Sequence, residues 1–323
     1  MIARRGTCCL LAVVLALCGA AAAAQTYPGR PIRMVVGFTP GGGTDIMARL
    51  LASKLPEVLG QPAVVENRPG AATNIANEMV ARSAPDGYTL LVATSVVAIN
   101  MALYKKLPYD TVRDFAPVSL FAESPNVVVV SNKLAARTLE ELVAAARAKP
   151  GVLNYSSAGS GTSQHMSGEL LKLRTGTDIV HVPFKGTAPS LTAVMGGDVD
   201  ISFANIPAIL QHVKAGRLRP LALSGDRRSE LMPEVPTVAE AGVPGGTVGV
   251  WYGVLAPAAT PREVVDTLSA AIVKIAHSSD MKQRLAEQGA EAVGSTPEAF
   301  GKLLREEVAR WTEVVNAAGI KAD

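Results

Sequence analysis

Cysteine is scarce and confined to the start: the 323 residues hold three, Cys8, Cys9 and Cys18. Aromatic residues make up only 4%, there are four histidines, and 31 Lys and Arg face 28 Asp and Glu for a formal charge of +3. These shortages exclude several classes. A disulfide framework, a thiol nucleophile and a cysteine metal site all need cysteines beyond the first few residues. A nucleic-acid surface needs a basic tract. A sugar cleft paved with rings needs more aromatics.

Apolar residues are plentiful instead, at 48% with a mean hydropathy of +0.24. Much of the excess lies at the N-terminus, where Arg4 and Arg5 precede an apolar run from Cys8 to Ala24 that ends Ala22-Ala23-Ala24 before Gln25. A positive segment, an apolar core and a small-x-small site predict a secretory signal peptide over residues 1–24, cleaved after Ala24. The run is short for a transmembrane anchor. Cys18 follows Leu17, where a lipid-attachment cysteine should follow a small residue. Cleavage removes all three cysteines with Arg4 and Arg5, leaving an exported chain of nearly balanced charge. Its length suits two domains, each with its own core.

Strand and helix patterns alternate along the chain. Ile32 to Phe38 reads as a buried strand, and Thr44 to Leu59 spaces its apolar residues as a helix. Further strands are expected at Ala63–Glu66, Tyr88–Ala93, Pro117–Phe121, Asn126–Ser131, Leu153–Ser156, Ile179–Pro183, Asp200–Phe203, Arg219–Leu223 and Val248–Leu255. Helices are expected over Thr73–Arg82, after the capping boxes at Thr138–Glu141 and Thr260–Glu263, near Ser279, and from Thr296-Pro297-Glu298. Strands alternating with helices predict an α/β fold with mainly parallel sheets. The domains should meet through short crossovers at Ala122–Pro125 and Val243–Thr247.

One local pattern occurs twice. A strand leads into Gly41-Gly42-Gly43-Thr44 and a helix with Leu50-Leu51; later a strand leads into Gly159-Ser160-Gly161-Thr162 and a helix with Leu170-Leu171. Glycine allows a tight turn and close approach, and Thr can cap the helix. First-turn N–H groups then face the loop, where the helix carries roughly half a positive charge. Each loop is an oxyanion cradle that needs no Lys or Arg, and parallel strands put such loops where ligands bind. An ordinary βα turn is the bland alternative for either loop alone.

Competing motifs fail. Gly43 stands where the P-loop lysine should be, neither loop reads G-x-G-x-x-G, Ser160 is not in a G-x-S-x-G elbow, and no zinc ligands cluster. Among the histidines, His277 and His212 read as helix residues and His181 as a strand residue with a structural role. His165 falls in the first turn after the second loop and could donate to an anion or simply cap. Asp45, beside the first loop, serves either the helix dipole or a ligand. Lys185 offers a cation at a cleft rim or is an exposed loop lysine. Trp251 and Tyr252 read as core or hinge packing.

Taken in order, several segments resemble the Bug-type receptors, the extracytoplasmic solute-binding proteins of tripartite tricarboxylate transporters. They are Tyr27-Pro28 to Pro31-Ile32, Phe38-Thr-Pro-Gly-Gly-Gly-Thr-Asp45, Glu66-Asn-Arg-Pro-Gly70, Pro85-Asp-Gly-Tyr-Thr-Leu90, Tyr109-Asp110 with Asp114-Phe115, Gly159-Ser-Gly-Thr162 with His165, His181-Val-Pro-Phe-Lys-Gly186, Lys214-Ala-Gly216, Val235 to Gly242 and Leu255-Ala-Pro257. The resemblance implies a two-lobed type II periplasmic-binding-protein (Venus flytrap) fold without catalysis. One lobe is then 25–123 with 247–323, and the other 124–246. It further implies a small carboxylate or related organic anion gripped between the loops, and membrane permease subunits as partners. A monomer is expected, with no cofactor, metal or nucleic acid.

Carried over by position, the ligand-binding residues are Thr39, Pro40, Gly41, Gly42, Gly43, Thr44 and Asp45 in the first loop. Ser157, Gly159, Ser160, Gly161, Thr162 and His165 come from the second. Thr94, Ser95, Lys185 and Asn205 complete the set. Many relatives have Asp where this chain has Ala204, which removes a group able to pair with an amino group. Two alternatives stay open: a periplasmic hydrolase using Ser160 and His165, and a sensory receptor of the same fold.

Overall fold

The computed structural model describes residues 27–225, 227–246 and 248–320. The export segment expected over residues 1–24 lies outside the described residues. The chain builds two lobes, each around its own sheet. In one, β1 (Ile32–Val36), β2 (Ala63–Asn67), β3 (Thr89–Ala93), β4 (Phe115–Ser124), β10 (Val250–Pro257) and β11 (Glu291–Ala292) lie in the order β11-β4-β10-β3-β1-β2. In the other, β5 (Asn126–Val130), β6 (Asn154–Ser157), β7 (Val180–Pro183), β8 (Ile201–Asn205) and β9 (Arg219–Leu223) lie in the order β7-β6-β8-β5-β9.

Helices cover both faces of each sheet. They are α1 (Gly43–Leu59), α2 (Asn74–Ala81), α3 (Val96–Leu103), α4 (Leu139–Ala148), α5 (Ser163–Thr175), α6 (Thr187–Gly196), α7 (Ile206–Lys214), α8 (Arg262–His277), α9 (Ser279–Glu287) and α10 (Pro297–Ala318). The strands show why. All five residues of β5 are buried; Val128 and Val130 enter one apolar cluster while Val127 and Val129 enter another on the opposite face. An unbroken apolar strand is stable only when both faces are covered. A further apolar cluster joins the lobes: Ala98, Ile99, Trp311 and Val315 meet Met166 and Leu170 of α5. Among the described residues, no helix is long and apolar enough to cross a membrane.

The sheets are mixed rather than mainly parallel. Among the described strands, β1–β2, β1–β3, β6–β7 and β6–β8 pair parallel, whereas β3–β10, β4–β10, β4–β11, β5–β8 and β5–β9 pair antiparallel. The crossovers explain this. β5 enters with Asn126 opposite Asn205, the last residue of β8, so it runs back against the strands whose ends it meets. β10 returns from the second lobe and slots between β3 and β4 in the same way.

Two local elements depart from the sequence pattern, one helix it did not foresee and one capping box that does not form. The eight residues Val96–Leu103 form a helix that shows no amphipathic pattern, because Val96 to Asn100 are all buried. The box at Thr260 does not form: α8 starts at Arg262 with Pro261 before it, and Thr260 Oγ1 is buried without a partner. Thr138 and Thr296 do cap, accepting from Glu141 N at 3.1 Å and Ala299 N at 3.2 Å.

Candidate functional site

Five strand ends turn directly or through short loops into helices that start around one small cavity between the lobes. β1 leads to α1, β3 to α3, β6 to α5, β7 to α6 and β8 to α7. The cavity is lined by Gly42, Gly43 and Thr44 around the start of α1, Thr94 and Val96 around that of α3, Thr162, Ser163 and Gln164 around that of α5, Thr187 at that of α6 and Asn205 before α7. Phe38, Ala158 and Val250 complete it, so among the described residues none of its lining side chains is charged. Its volume, traced by the centre of a water molecule, is about 20 Å³.

Thr162 caps α5 by accepting from His165 N at 3.2 Å. The N-cap residues of the other helices, Gly42, Ser95, Gly186 and Asn205, make no such side-chain bond. Their first-turn N–H groups therefore lack the usual side-chain acceptor, and each terminus carries about half a positive charge. Four side-chain oxygens at or beside the cavity, Thr39 Oγ1, Ser95 Oγ, Gln164 Oε1 and Asn205 Oδ1, are also buried without hydrogen-bond partners; the two hydroxyls can donate to an anion, while the two amide oxygens only accept. Such atoms are destabilising until something supplies a partner.

Glycines let the lobes approach. A Cβ on Gly43 would stand 2.2 Å from Asn205 Oδ1, one on Gly186 2.1 Å from Thr39 Oγ1, and one on Gly161 2.8 Å from Asn100 Oδ1. Each contact joins the six-stranded lobe to the five-stranded one.

The expected residues divide into groups. Gly42, Gly43, Thr44, Thr94, Thr162 and Asn205 line the cavity. Thr39 and Ser95 stand beside it with their unpartnered hydroxyls. Pro40 and Gly41 form the exposed loop tip, and Lys185 is exposed. Asp45 is buried and engaged by its own loop: its carboxylate accepts from Gly41 N at 3.0 Å, Asn67 Nδ2 at 2.9 Å and Arg49 Nε at 3.0 Å. Burial pushes this carboxyl up, but Arg49, the Gly41 N–H and Asn67 together outweigh it and hold it below the usual range.

The second loop is braced from behind. Ser157 Oγ lies 2.7 Å from His181 Nε2, and Gly161 N donates to His165 Nδ1 at 3.1 Å. The rings of His165 and His181 stack with centroids 4.2 Å apart, and Tyr155 stacks beyond at 4.8 Å. Ser157, Gly159, Ser160, Gly161 and His165 thus form the body of the loop around its cavity-facing end. Trp251 and Tyr252 sit in apolar clusters on opposite faces of their sheet.

Sequence reading missed Phe38, Val96, Ala158, Ser163, Gln164, Thr187 and Val250. Ser163-Gln164 directly follow a G-x-G-T and Thr187 follows Phe184-Lys-Gly186, so those three were within reach of the motifs. Ala204 lies with Val127, Val129 and Leu191 in an apolar cluster, not at the cavity.

A second space, of about 630 Å³, lies across the crossovers and is lined by Glu123, Arg227, Glu291, Glu307 and Arg310 among others. Its arginines pair with its own acids, Arg227 with Glu291 and Arg310 with Glu307. Among the described residues no helix start lines it, whereas five helix starts surround the smaller interlobe cavity. Among the described residues no three His, Cys, Asp or Glu come close enough to hold a metal ion.

Compared with known proteins, residues 47–320 match the family described as the tripartite tricarboxylate transporter family receptor. Protein BugT of Bordetella pertussis is 40% identical over 319 residues, 97% of this chain and 98% of that one. The solved structure of R. palustris Rpa4515 with adipate is 38% identical with a TM-score of 0.89, covering 92% of this chain and 100% of that one. MatC (Rpa3494) from Rhodopseudomonas palustris with bound malate is 35% identical with a TM-score of 0.85, covering 90% and 100%.

Proposed function

The chain belongs to the receptor family of the tripartite tricarboxylate transporters and is a solute-binding receptor of that class, and from this premise we propose how it takes its ligand. The ligand is a small organic acid whose carboxylate sits between the helix starts of the two lobes. The carrying observation is the convergence of five helix N-termini, four of them without a side-chain cap, on a cavity with no charged lining side chain.

A carboxylate there replaces missing caps with charge-assisted bonds, each contributing about 1.5–3 kcal/mol. Three or four such bonds match the roughly 8 kcal/mol of a micromolar complex before ordering losses, without any Lys or Arg. N–H groups of α1 and α3 belong to one lobe and those of α5, α6 and α7 to the other. Only the closed form therefore offers the full set, and the ligand draws the lobes together.

The lobes are taken as 25–123 with 247–323 and as 124–246, supported by the crossovers at Ser124–Asn126 and Val248–Val250. Export through cleavage after Ala24 and delivery to membrane permease subunits complete the reading. Adipate and malate, seen bound to relatives, are the first probes. Each acid and its amide should be compared by thermal shift. A higher Tm with an acid and none with its amide is expected; equal shifts for both, or none across a broad carboxylate panel, would overturn it.

A further inference from the structure

Three consecutive non-glycine residues beside the cleft hold left-handed backbone: Ala71, Ala72 and Thr73, with φ of 46°, 49° and 70°. A side chain disfavours this region, so such a run persists only where its surroundings over-determine it. Here the surroundings are a buried polar network. Asn100, fully buried on α3, donates from Nδ2 to Ala72 O and to Asn74 Oδ1, both at 2.8 Å. Tyr109 Oη donates to Asn74 Oδ1 at 2.6 Å and accepts from Asn77 Nδ2 at 2.8 Å; Asn77 Nδ2 also reaches Thr73 Oγ1 at 3.1 Å.

Both ends of this network touch a glycine loop. Thr73 packs on Gly37, where an added Cβ would meet the Thr73 Cβ at 2.6 Å; Gly37 starts the turn into the first loop. Asn100 faces the second loop. Its Nδ2 is fixed by two acceptors, so its Oδ1 direction is fixed as well. That oxygen is buried without a partner and stands 2.8 Å from where a Cβ on Gly161 would be. Neither Thr73 nor Asn100 lines the interlobe cavity.

We propose that the left-handed run Ala71–Thr73 and Asn100 are positioning residues for ligand capture. The run holds the first loop from behind through Thr73 and Gly37, and Asn100 gives the second loop its seat when the lobes close. This rests on the reading of the cleft as the ligand site. The network is useful here because it admits one arrangement of the run, and loosening it frees the loops by the fraction of an ångström that a cradle of N–H groups does not tolerate.

The test uses Asn100→Ala and Tyr109→Phe in the full chain. The second removes the hydroxyl that joins Asn74 to Asn77 and keeps the ring, so it keeps the test valid if the first folds poorly. Hydrogen exchange without added ligand should quicken over 37–45 and 157–165 in each folded variant while β1 and β6 keep their protection. Titration with malate and adipate should show Kd raised about 10-fold for whichever acid the wild type binds. Wild-type exchange rates in both loops, or an unchanged Kd, would overturn the proposal. A wild type that binds neither acid counts against those acids as ligands, and the exchange result then decides the positioning role alone.

Discussion

Gly43, the first residue of α1, lies directly under the side-chain amide of Asn205 at the end of β8, the two belonging to different lobes. A methyl group on Gly43 would stand 2.2 Å from Asn205 Oδ1 and 2.7 Å from Cγ. Gly43 is not among the positive-φ glycines, so Ala fits its backbone and the contact alone decides the outcome. Gly43→Ala should fold normally but resist closure by about 2 kcal/mol, raising Kd for the bound acid about 30-fold. Calorimetric titration checks this, and adding Asn205→Ala should recover much of the loss. Wild-type affinity in the single variant would disprove closure through this contact.

Asp45 supplies a pH signature. Its carboxyl is held below the ordinary value of 3.8, so its stabilising contribution is complete above about pH 4 and is lost as pH falls through the folded value. Asp45→Asn keeps an acceptor for the Gly41 N–H but loses the charge facing Arg49. Because Arg49 is half exposed, the expected loss at neutral pH is about 1 kcal/mol. Urea unfolding at several pH values should show the gap between the two proteins narrowing as pH falls below the ordinary 3.8. A gap that does not narrow with acid would rule out the charge as its source.

Glu123 gives the opposite sign. It stands at the rim of the groove across the crossovers, open to solvent on one side and walled in on the other. Burial pushes its carboxyl above the ordinary 4.5, helped by Glu291 directly opposite in the strand register and by Glu307. Stability from this group is present below that value and lost as pH rises through the folded one. Glu123→Gln should raise Tm at about pH 7 and leave it unchanged near pH 4. The same rise at both would trace it to packing rather than charge.

Ser160 separates capture from catalysis. The ring of His165 is stacked on His181, and its Nδ1 accepts from the Gly161 N–H, which suits it to hold the loop. Ser160→Ala should therefore change only affinity, by about 10-fold at most. Neither wild type nor variant should turn over a nitrophenyl ester. Ester turnover that disappears with Ser160 would reinstate the hydrolase.

Much of the fold was legible because its signals are local. Runs such as Val127–Val130 and Leu90–Ala93 need only their own composition to declare a strand covered on both faces, and Thr138 and Thr296 each cap a helix within three residues. Val96–Leu103 was not legible: a helix buried on all sides has no polar stripe. Strand direction was also hidden, since β5 and β10 take theirs from where a crossover delivers them. The site was half legible. Both G-x-G-T loops announced helix starts suited to an anion, yet Gln164 and Thr187 became site residues only through their place around the cavity, and Asp45 turned back to its own loop.

The sequence by itself determined that α1 and α5 begin at G-x-G-T turns, because these follow from backbone sterics within a few residues. Tertiary structure decided that these two starts share one cavity with three others, that Gly43 meets Asn205 and Gly161 meets Asn100, and that no charged side chain among the described residues lines it. Those outcomes depend on two sheets facing each other along the edges where their parallel strands end. Only the paired crossovers, joining residues far apart in the chain, impose that geometry.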